Sequence, residues 1–211
     1  MIHLEWFNDY SGIYVESSEG NVIFDMTDVD PGKYQKIDII VVTHEHSDHF
    51  DAELIKYAFE MHKCTILSDV FSYKKLIRYI SRDKIKPIKP GSIAKLGNLK
   101  FFVGKSNHKA FLPVTVILDI GRKFKIYHTS DSLPFEEMSE FVKKYGPIDV
   151  LLCAVGMAPN VNPLTAVEIA EIVQPQIAIP YHGTKLREFC DLLKNHNIRC
   201  KILKKGTVYE F

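Results

Sequence analysis

Short runs rich in β-branched and aromatic residues at positions 2–7, 12–17 and 21–25 read as strands, and Glu19, Gly20 and Asn21 between the last two supply hairpin-turn chemistry. The run 37–42 is short, β-branched and bounded by charge, which predicts a strand buried on both faces. Asp51 then stands as the N-cap of a helix whose apolar positions Leu54, Ile55, Ala58 and Phe59 return at helical spacing. A short strand at 65–67 and a helix over 70–80 follow. From Leu99 the pattern returns to strands at 100–103, 114–120 and 123–128. Pro134 opens a predicted helix to Tyr145, 149–154 reads as a buried strand, and Asn162 with Pro163 caps a helix to Val173. A strand at 177–179 stops at Pro180, a last helix from Thr184 carries Leu186, Phe189, Leu192 and Leu193 on one face, and terminal strands lie around Ile202 and Val208. Strand-rich stretches followed by helices predict an α+β protein: two sheets covered by helices, in one domain over residues 1–211 without a linker.

Composition narrows the partners. With 211 residues, 46% apolar and 25% charged, the chain is of ordinary globular composition and long enough for one substantial core. A formal net charge of +1 argues against nucleic acid or an acidic membrane as an overall electrostatic partner. One segment departs from that balance: Lys74, Lys75, Arg78, Arg82, Lys84, Lys86, Lys89, Lys95 and Lys100 face a single acid, Asp83. It reads either as a patch that attracts phosphate or nucleic acid or as a solvated face, and the thin aromatic interleaving favours the second. Cys64, Cys153, Cys190 and Cys200 lie far apart with no C-x-x-C pair, which predicts reduced core thiols and no disulfide framework. His3, Glu5 and Asp9 sit where a signal peptide would be basic and then apolar, and no apolar run reaches the ~18 residues of a membrane span. The expected location is the cytoplasm.

The chemistry is concentrated in Thr43-His44-Glu45-His46-Ser47-Asp48-His49, directly after the buried run. Ligands collect at the carboxyl ends of strands in such folds, because the next loop can aim side chains into a crevice while the sheet stays rigid. Neutral imidazole and carboxylate bind borderline and hard divalent ions. His44 and His46 can converge on one ion, while Asp48 and His49 turn toward a neighbouring point, so the stretch suits two adjacent metals. Further ligands are then required from other strand ends, and the candidates are His108, Asp131 and His182. Each has a plainer alternative: a lone histidine is more often a surface or core residue, and Asp131 could cap the helix expected after Pro134. His3, His62, His128 and His196 fit no ligand position.

The order His44-x-His46-x-Asp48-His49, then His108, Asp131 and His182, with Asp25 ending an early strand, resembles the metallo-β-lactamase superfamily in its dinuclear hydrolase form. The resemblance covers about 25–183. It implies a four-layer αββα sandwich, with His44, His46 and His108 on a first metal and Asp48, His49 and His182 on a second. It also implies that Asp131 bridges the two and that Asp25 orients the site from behind. Within the superfamily, the compact chain and Pro180-Tyr181-His182-Gly183 are most similar to the small metal-dependent hydrolase branch that includes ascorbate-6-phosphate lactonase. That branch has a Gly-His turn where this chain has Asn8-Asp9-Tyr10, and Gly-Asp-Thr where this chain has Ser130-Asp131-Ser132.

The expected activity is metal-dependent hydrolysis of a small ester, lactone or phosphodiester by hydroxide held between two divalent ions, zinc first, with manganese or iron as alternatives. Asp48 is the candidate catalytic residue, accepting a proton as the intermediate collapses. The alternative is a metal-binding but non-catalytic sensor that holds a phosphate-bearing or RNA partner. A di-iron oxygen-reducing role is not expected, since it calls for a flavin partner domain. The expected partner is a small-molecule substrate, with no membrane, and with homo-oligomerisation left open.

Overall fold

The run before the histidine stretch forms β4 (Ile39–Val42), every residue of which is buried. It begins two residues later than its apolar pattern, because Asp38 is occupied at the entry: its carboxylate accepts from Asn21 N at 2.8 Å and pairs with Lys36 at 2.7 Å. The structure is a computed structural model that describes residues 1–211. It divides into two compact units, one of residues 1–89, 110–113 and 204–211, the other of residues 90–109 and 114–203.

The first unit holds a seven-stranded mixed sheet. Besides β4 it contains β1 (Ile2–Trp6), β2 (Ile13–Ser17), β3 (Val22–Phe24), β5 (Thr65–Asp69), β6 (Ile85–Ile88) and β14 (Val208–Glu210), in the order β14-β1-β2-β3-β4-β5-β6. β3, β4, β5 and β6 run parallel, so residues at the carboxyl ends of β3 and β4, Asp25 and Thr43, emerge at the same edge. Helix α1 (Ala52–His62) starts as expected, with the Asp51 carboxylate accepting from Glu53 N and Leu54 N. Its buried residues Ile55 and Ala58 pack with Ile23, Ile40, Val42 and Ile66. Truncating Ile40 would remove about 2–5 kcal/mol by the usual cost of a core cavity. Helix α2 (Val70–Leu76) is shorter than its periodicity predicts, but turn bonds Arg78 N to Lys75 O and Ile80 N to Leu76 O carry the winding on to Ile80.

The second unit holds another seven-stranded mixed sheet, β13-β12-β11-β10-β9-β8-β7, with β7 (Ile93–Leu96), β8 (Leu99–Lys105), β9 (Val114–Ile120), β10 (Phe124–His128), β11 (Val150–Ala154), β12 (Ile177–Tyr181) and β13 (Arg199–Cys200). β8 and β10 are each antiparallel to β9, and β10, β11 and β12 are parallel, so β8, β10 and β12 all end at one edge. Helices α3 (Met138–Tyr145), α4 (Pro163–Val173) and α5 (Leu186–Leu193) pack on this sheet around Leu151, Cys153, Ala170 and Phe189. α4 keeps its expected limits, with a capping box between Asn162 and Thr165.

Several expectations need correction. Pro180 does not stop β12, which runs on to Tyr181: β13 pairs only as far as Ala178, so beyond that point β12 has no neighbour on that side to which the missing N–H would donate. The helix placed after Pro134 begins at Met138. Strands β6 and β7 were hidden in the basic segment, where Pro87 and the lysines obscure the pattern; each forms the edge of its sheet, the position that tolerates proline and lysine. The nine basic residues are divided between the two units. Lys95 and Lys100 are paired across β7 and β8 in the second unit, while Lys74, Lys75 and Arg78 lie in the first.

The cysteines are not all reduced. Cys190 and Cys200 form a disulfide with their Cα atoms 5.3 Å apart, because α5 folds back over β13 and brings together two positions that no short motif links. Cys64 and Cys153 are free and buried, and burial pushes the Cys64 thiol up to about 12 and the Cys153 thiol higher still. Since the thiolate is the reactive form, native protein at pH 8 is expected to show almost no reaction with a thiol reagent. Unfolding without reductant should expose two thiols and unfolding with reductant four; rapid labelling of the native state would contradict this burial.

Candidate functional site

β4 delivers Thr43 to the sheet edge, and the following turn winds tightly, with His49 N and Phe50 N both donating to His46 O at 2.9 and 2.8 Å. That winding gathers the ligand side chains of the stretch. The ring centroids of His44 and His46 are 4.7 Å apart, those of His44 and His49 3.9 Å, and His49 Nε2 is 3.7 Å from Asp48 Oδ2. His44 and His49 are fully buried, whereas the Asp48 side chain is 30% exposed.

Asp25 lies behind this stretch at zero exposure, in the left-handed region at φ 47°. Its Oδ1 accepts from Thr43 N at 2.8 Å. Its Oδ2 accepts from Thr43 Oγ1 at 2.8 Å, from Ser11 Oγ at 2.9 Å and from His49 Nδ1 at 2.7 Å. With Nδ1–H committed to the carboxylate, Nε2 of His49 carries the lone pair, the tautomer a metal ligand needs. Thr43 Oγ1 is also 3.1 Å from His44 Nδ1. Ser11 and Thr43 are hydroxyls that sequence reasoning passed over, since neither is a ligand type.

A second support comes from the departure at Asn8-Asp9-Tyr10. Asn8 Oδ1 accepts from Tyr10 N and Gly12 N at 3.0 and 2.9 Å, and its Nδ2 donates to Thr27 O and Oγ1. Thr27 Oγ1 in turn donates to Asp48 O at 3.1 Å. The turn therefore reaches the Asp48 backbone through two polar side chains.

In the second unit, His108 follows β8, Asp131 follows β10 and His182 follows β12, three strand ends on one edge. Asp131 Oδ1 is 3.1 Å from His182 Nε2 and its Oδ2 is 3.9 Å from His108 Nε2, so the two carboxylate oxygens face different imidazoles. All three side chains are at most 3% exposed. Asp131 caps no helix, since α3 starts at Met138 without a side-chain cap. Leu133 N donates to Asn107 O and Asn107 N to Ser132 Oγ, tying the His108 loop to the Asp131 loop. Ser130 and His182 adopt left-handed φ values of 53° and 51°, a conformation that costs a non-glycine residue about 1–3 kcal/mol and that clusters at functional sites. Gly183 permits this turn: a Cβ there would lie 2.9 Å from Gly156 N. Tyr181 is fully buried, stacked on His128 and donating to Ser130 O, so it packs the site's floor instead of lining a pocket.

Two groups of side chains have the composition and spacing to hold a metal ion: His44, His46 and His108, and Asp48, His49, Asp131 and His182. Within each group the ligand atoms lie within 4.8 Å of one another. Every ligand atom is nitrogen or oxygen, a set that suits borderline and hard divalent ions. His3, His62 and His196 lie in neither group and bond elsewhere, to Glu16, Pro31 O and Glu171.

A family profile described as the beta-lactamase superfamily domain matches residues 24–183, well over half of the chain. The chain is a member of the beta-lactamase superfamily. Among its relatives in this superfamily, a metal-dependent hydrolase of the UPF0173 group from Staphylothermus marinus is 32% identical over 194 residues, covering 85% of this chain and 80% of the relative. Metal-dependent hydrolase is therefore the activity class of this superfamily member. Two solved structures share its fold. The metallo hydrolase Igni18 from Ignicoccus hospitalis aligns with a TM-score of 0.83 at 19% identity, covering 100% of this chain and 99% of that one. The metallo-beta-lactamase fold protein YhfI from Bacillus subtilis aligns at 0.79 and 16%, covering 100% and 99%. The superfamily fold agrees with the α+β expectation, and no helix of the chain is long and apolar enough to cross a membrane.

Proposed function

We propose that this chain is a dinuclear hydrolase of a small ester, lactone or phosphodiester, acting as one hydrolase domain over residues 1–211. The span of the family match, which takes in residues of both compact units, supports the single-domain reading. The observation that carries the two-metal reading is the Asp131 carboxylate, with one oxygen facing His108, a member of the first ligand group, and the other facing His182, a member of the second. His44, His46 and His108 would hold one ion, Asp48, His49 and His182 the other, and Asp131 both. Zinc suits this set best, with manganese or iron next.

Bound divalent ions would supply Lewis acidity and a water whose pKa is lowered to about 7. The remaining work belongs to the chain. Asp25 holds the His49 tautomer and, through Thr43, the start of the ligand stretch. Asp48 is the only carboxylate of the two groups with substantial exposure, which leaves it able to accept a proton and pass it to the leaving group. The nearly complete burial of the other acid and of His44, His49 and His182 excludes bulk water from their ligand atoms.

The test is metal content together with turnover. Protein reconstituted with zinc, manganese or iron is expected to hold two ions per chain and to hydrolyse at least one member of a panel of phosphodiester, lactone and carboxylic ester. His46→Ala should bind fewer ions and lose turnover while keeping its circular dichroism spectrum. One ion per chain with full activity would overturn the dinuclear reading.

A further inference from the structure

The turn after β5 presents a face the hydrolase reading leaves unused. Phe71, Lys74, Lys75 and Arg78 recur at helical spacing along α2 and its continuation, so they share one side of the winding, while Ser72, Leu76 and Ile80 on the other are buried. With Ala52 and Tyr79 they line a cavity of about 410 Å³, within the range of small-molecule sites. Lys36, Lys105 and Lys194 are each within 4.0 Å of a carboxylate, but Lys74, Lys75 and Arg78 are not. Three cations on one turn repel one another, and an anion among them relieves that cost. They are also set against rings: Lys75 Nζ is 4.8 Å from the Phe71 centroid and 5.4 Å from that of Phe50, and Lys74 Nζ is 6.0 Å from that of Phe111. Tyr79 and Phe111 are 50% and 58% exposed, leaving flat apolar faces open beside the charge.

We propose that this cavity is a subsite for the non-reacting part of the substrate, and that this part is nucleotide-like: a phosphate joined to a flat ring. The Arg78 guanidinium offers a planar fork to two phosphate oxygens, and the two lysines add point charges. The ring stacks on the exposed aromatic faces, a contact that every nucleobase can make. Residues that line the cavity touch neighbours of the ligand stretch. Lys75 lies over the ring of Phe50, which follows His49 directly, and Phe71 packs at 5.7 Å on Phe111, whose N donates to Glu45 Oε1 at 3.0 Å. The inference rests on the hydrolase reading and narrows it from small esters in general to esters that carry a nucleotide-like anion.

Calorimetric titration of the metal-loaded chain with adenosine 5′-monophosphate tests it. Binding is expected to be at least tenfold tighter than for adenosine or inorganic phosphate, and to weaken as salt rises. Lys74→Ala/Arg78→Ala should lower the affinity at least tenfold. Lys143→Ala/Lys144→Ala, which removes the same charge from α3, should leave it unchanged. Equal affinity in wild type and the Lys74/Arg78 variant, or equal losses in both double variants, would overturn the subsite. The two readings fail separately: nucleotide binding of the expected pattern without turnover of any ester overturns the hydrolase and keeps the cavity, whereas ester turnover without nucleotide binding does the reverse.

Discussion

Asp131→Ala is expected to lower kcat/KM by about 10³-fold or more in metal-loaded protein, because on the proposed dinuclear reading its carboxylate would serve both ions. Its two oxygens face His182 and His108 at 3.1 and 3.9 Å, and at 3% exposure no water can replace it at low cost. Asp131→Asn keeps the shape but offers a single neutral oxygen, so it should retain fold and melting temperature while losing most of the same activity. Metal analysis separates the causes. A fall in bound ions for Asp131→Ala is the expected companion of the kinetic loss. Two tightly held ions with near-normal turnover would remove Asp131 from its bridging role.

The second large effect is on stability. Asp25→Ala strips the acceptor from Thr43 N, Thr43 Oγ1, Ser11 Oγ and His49 Nδ1 in a fully buried position. Leaving one buried donor without a partner costs about 1–3 kcal/mol, and here several buried donors lose the same acceptor. The variant should therefore lose roughly 3–5 kcal/mol against chemical denaturation. Wherever it remains folded, its metal affinity should fall by about 10–100-fold, the usual cost of losing a partner that orients a ligand. Asp25→Asn, which can still accept from the Thr43 amide, should lose less stability. An Asp25→Ala protein as stable as the wild type would mean that water fills the vacated position and that the carboxylate orients nothing.

The side chains that the structure gathers into two groups able to hold a metal ion stood out in the sequence because their determinants are local. A β-branched run ends at Thr43, the histidine and aspartate spacing follows at once, and His108, Asp131 and His182 each come just after a strand that the apolar pattern shows. What was not legible depends on residues that meet only in the fold. Ser11 and Thr43 carry no metal chemistry, and only their convergence on Asp25 gives them a part. The Cys190–Cys200 bridge needs α5 to turn back over β13, which no spacing rule encodes. β6 and β7 are edge strands, where lysine and proline suit the position but erase the alternation by which strands are found. The basic segment likewise showed only as a run of charge, whereas which of its residues share a cavity, Lys74, Lys75 and Arg78, depends on the winding of α2.

The pairing of β14 with β1 imposes an order of assembly. Ile2 N donates to Phe211 O and Phe211 N to Ile2 O, so the sheet that carries His44 to His49 takes one of its edge strands from residues synthesised after everything in the other unit. During translation that sheet waits with β1 unpaired on one side while the residues between β1 and β14 emerge, and closing so long a loop is slow. The sheet that carries the ligand stretch is begun early and gains its last edge late.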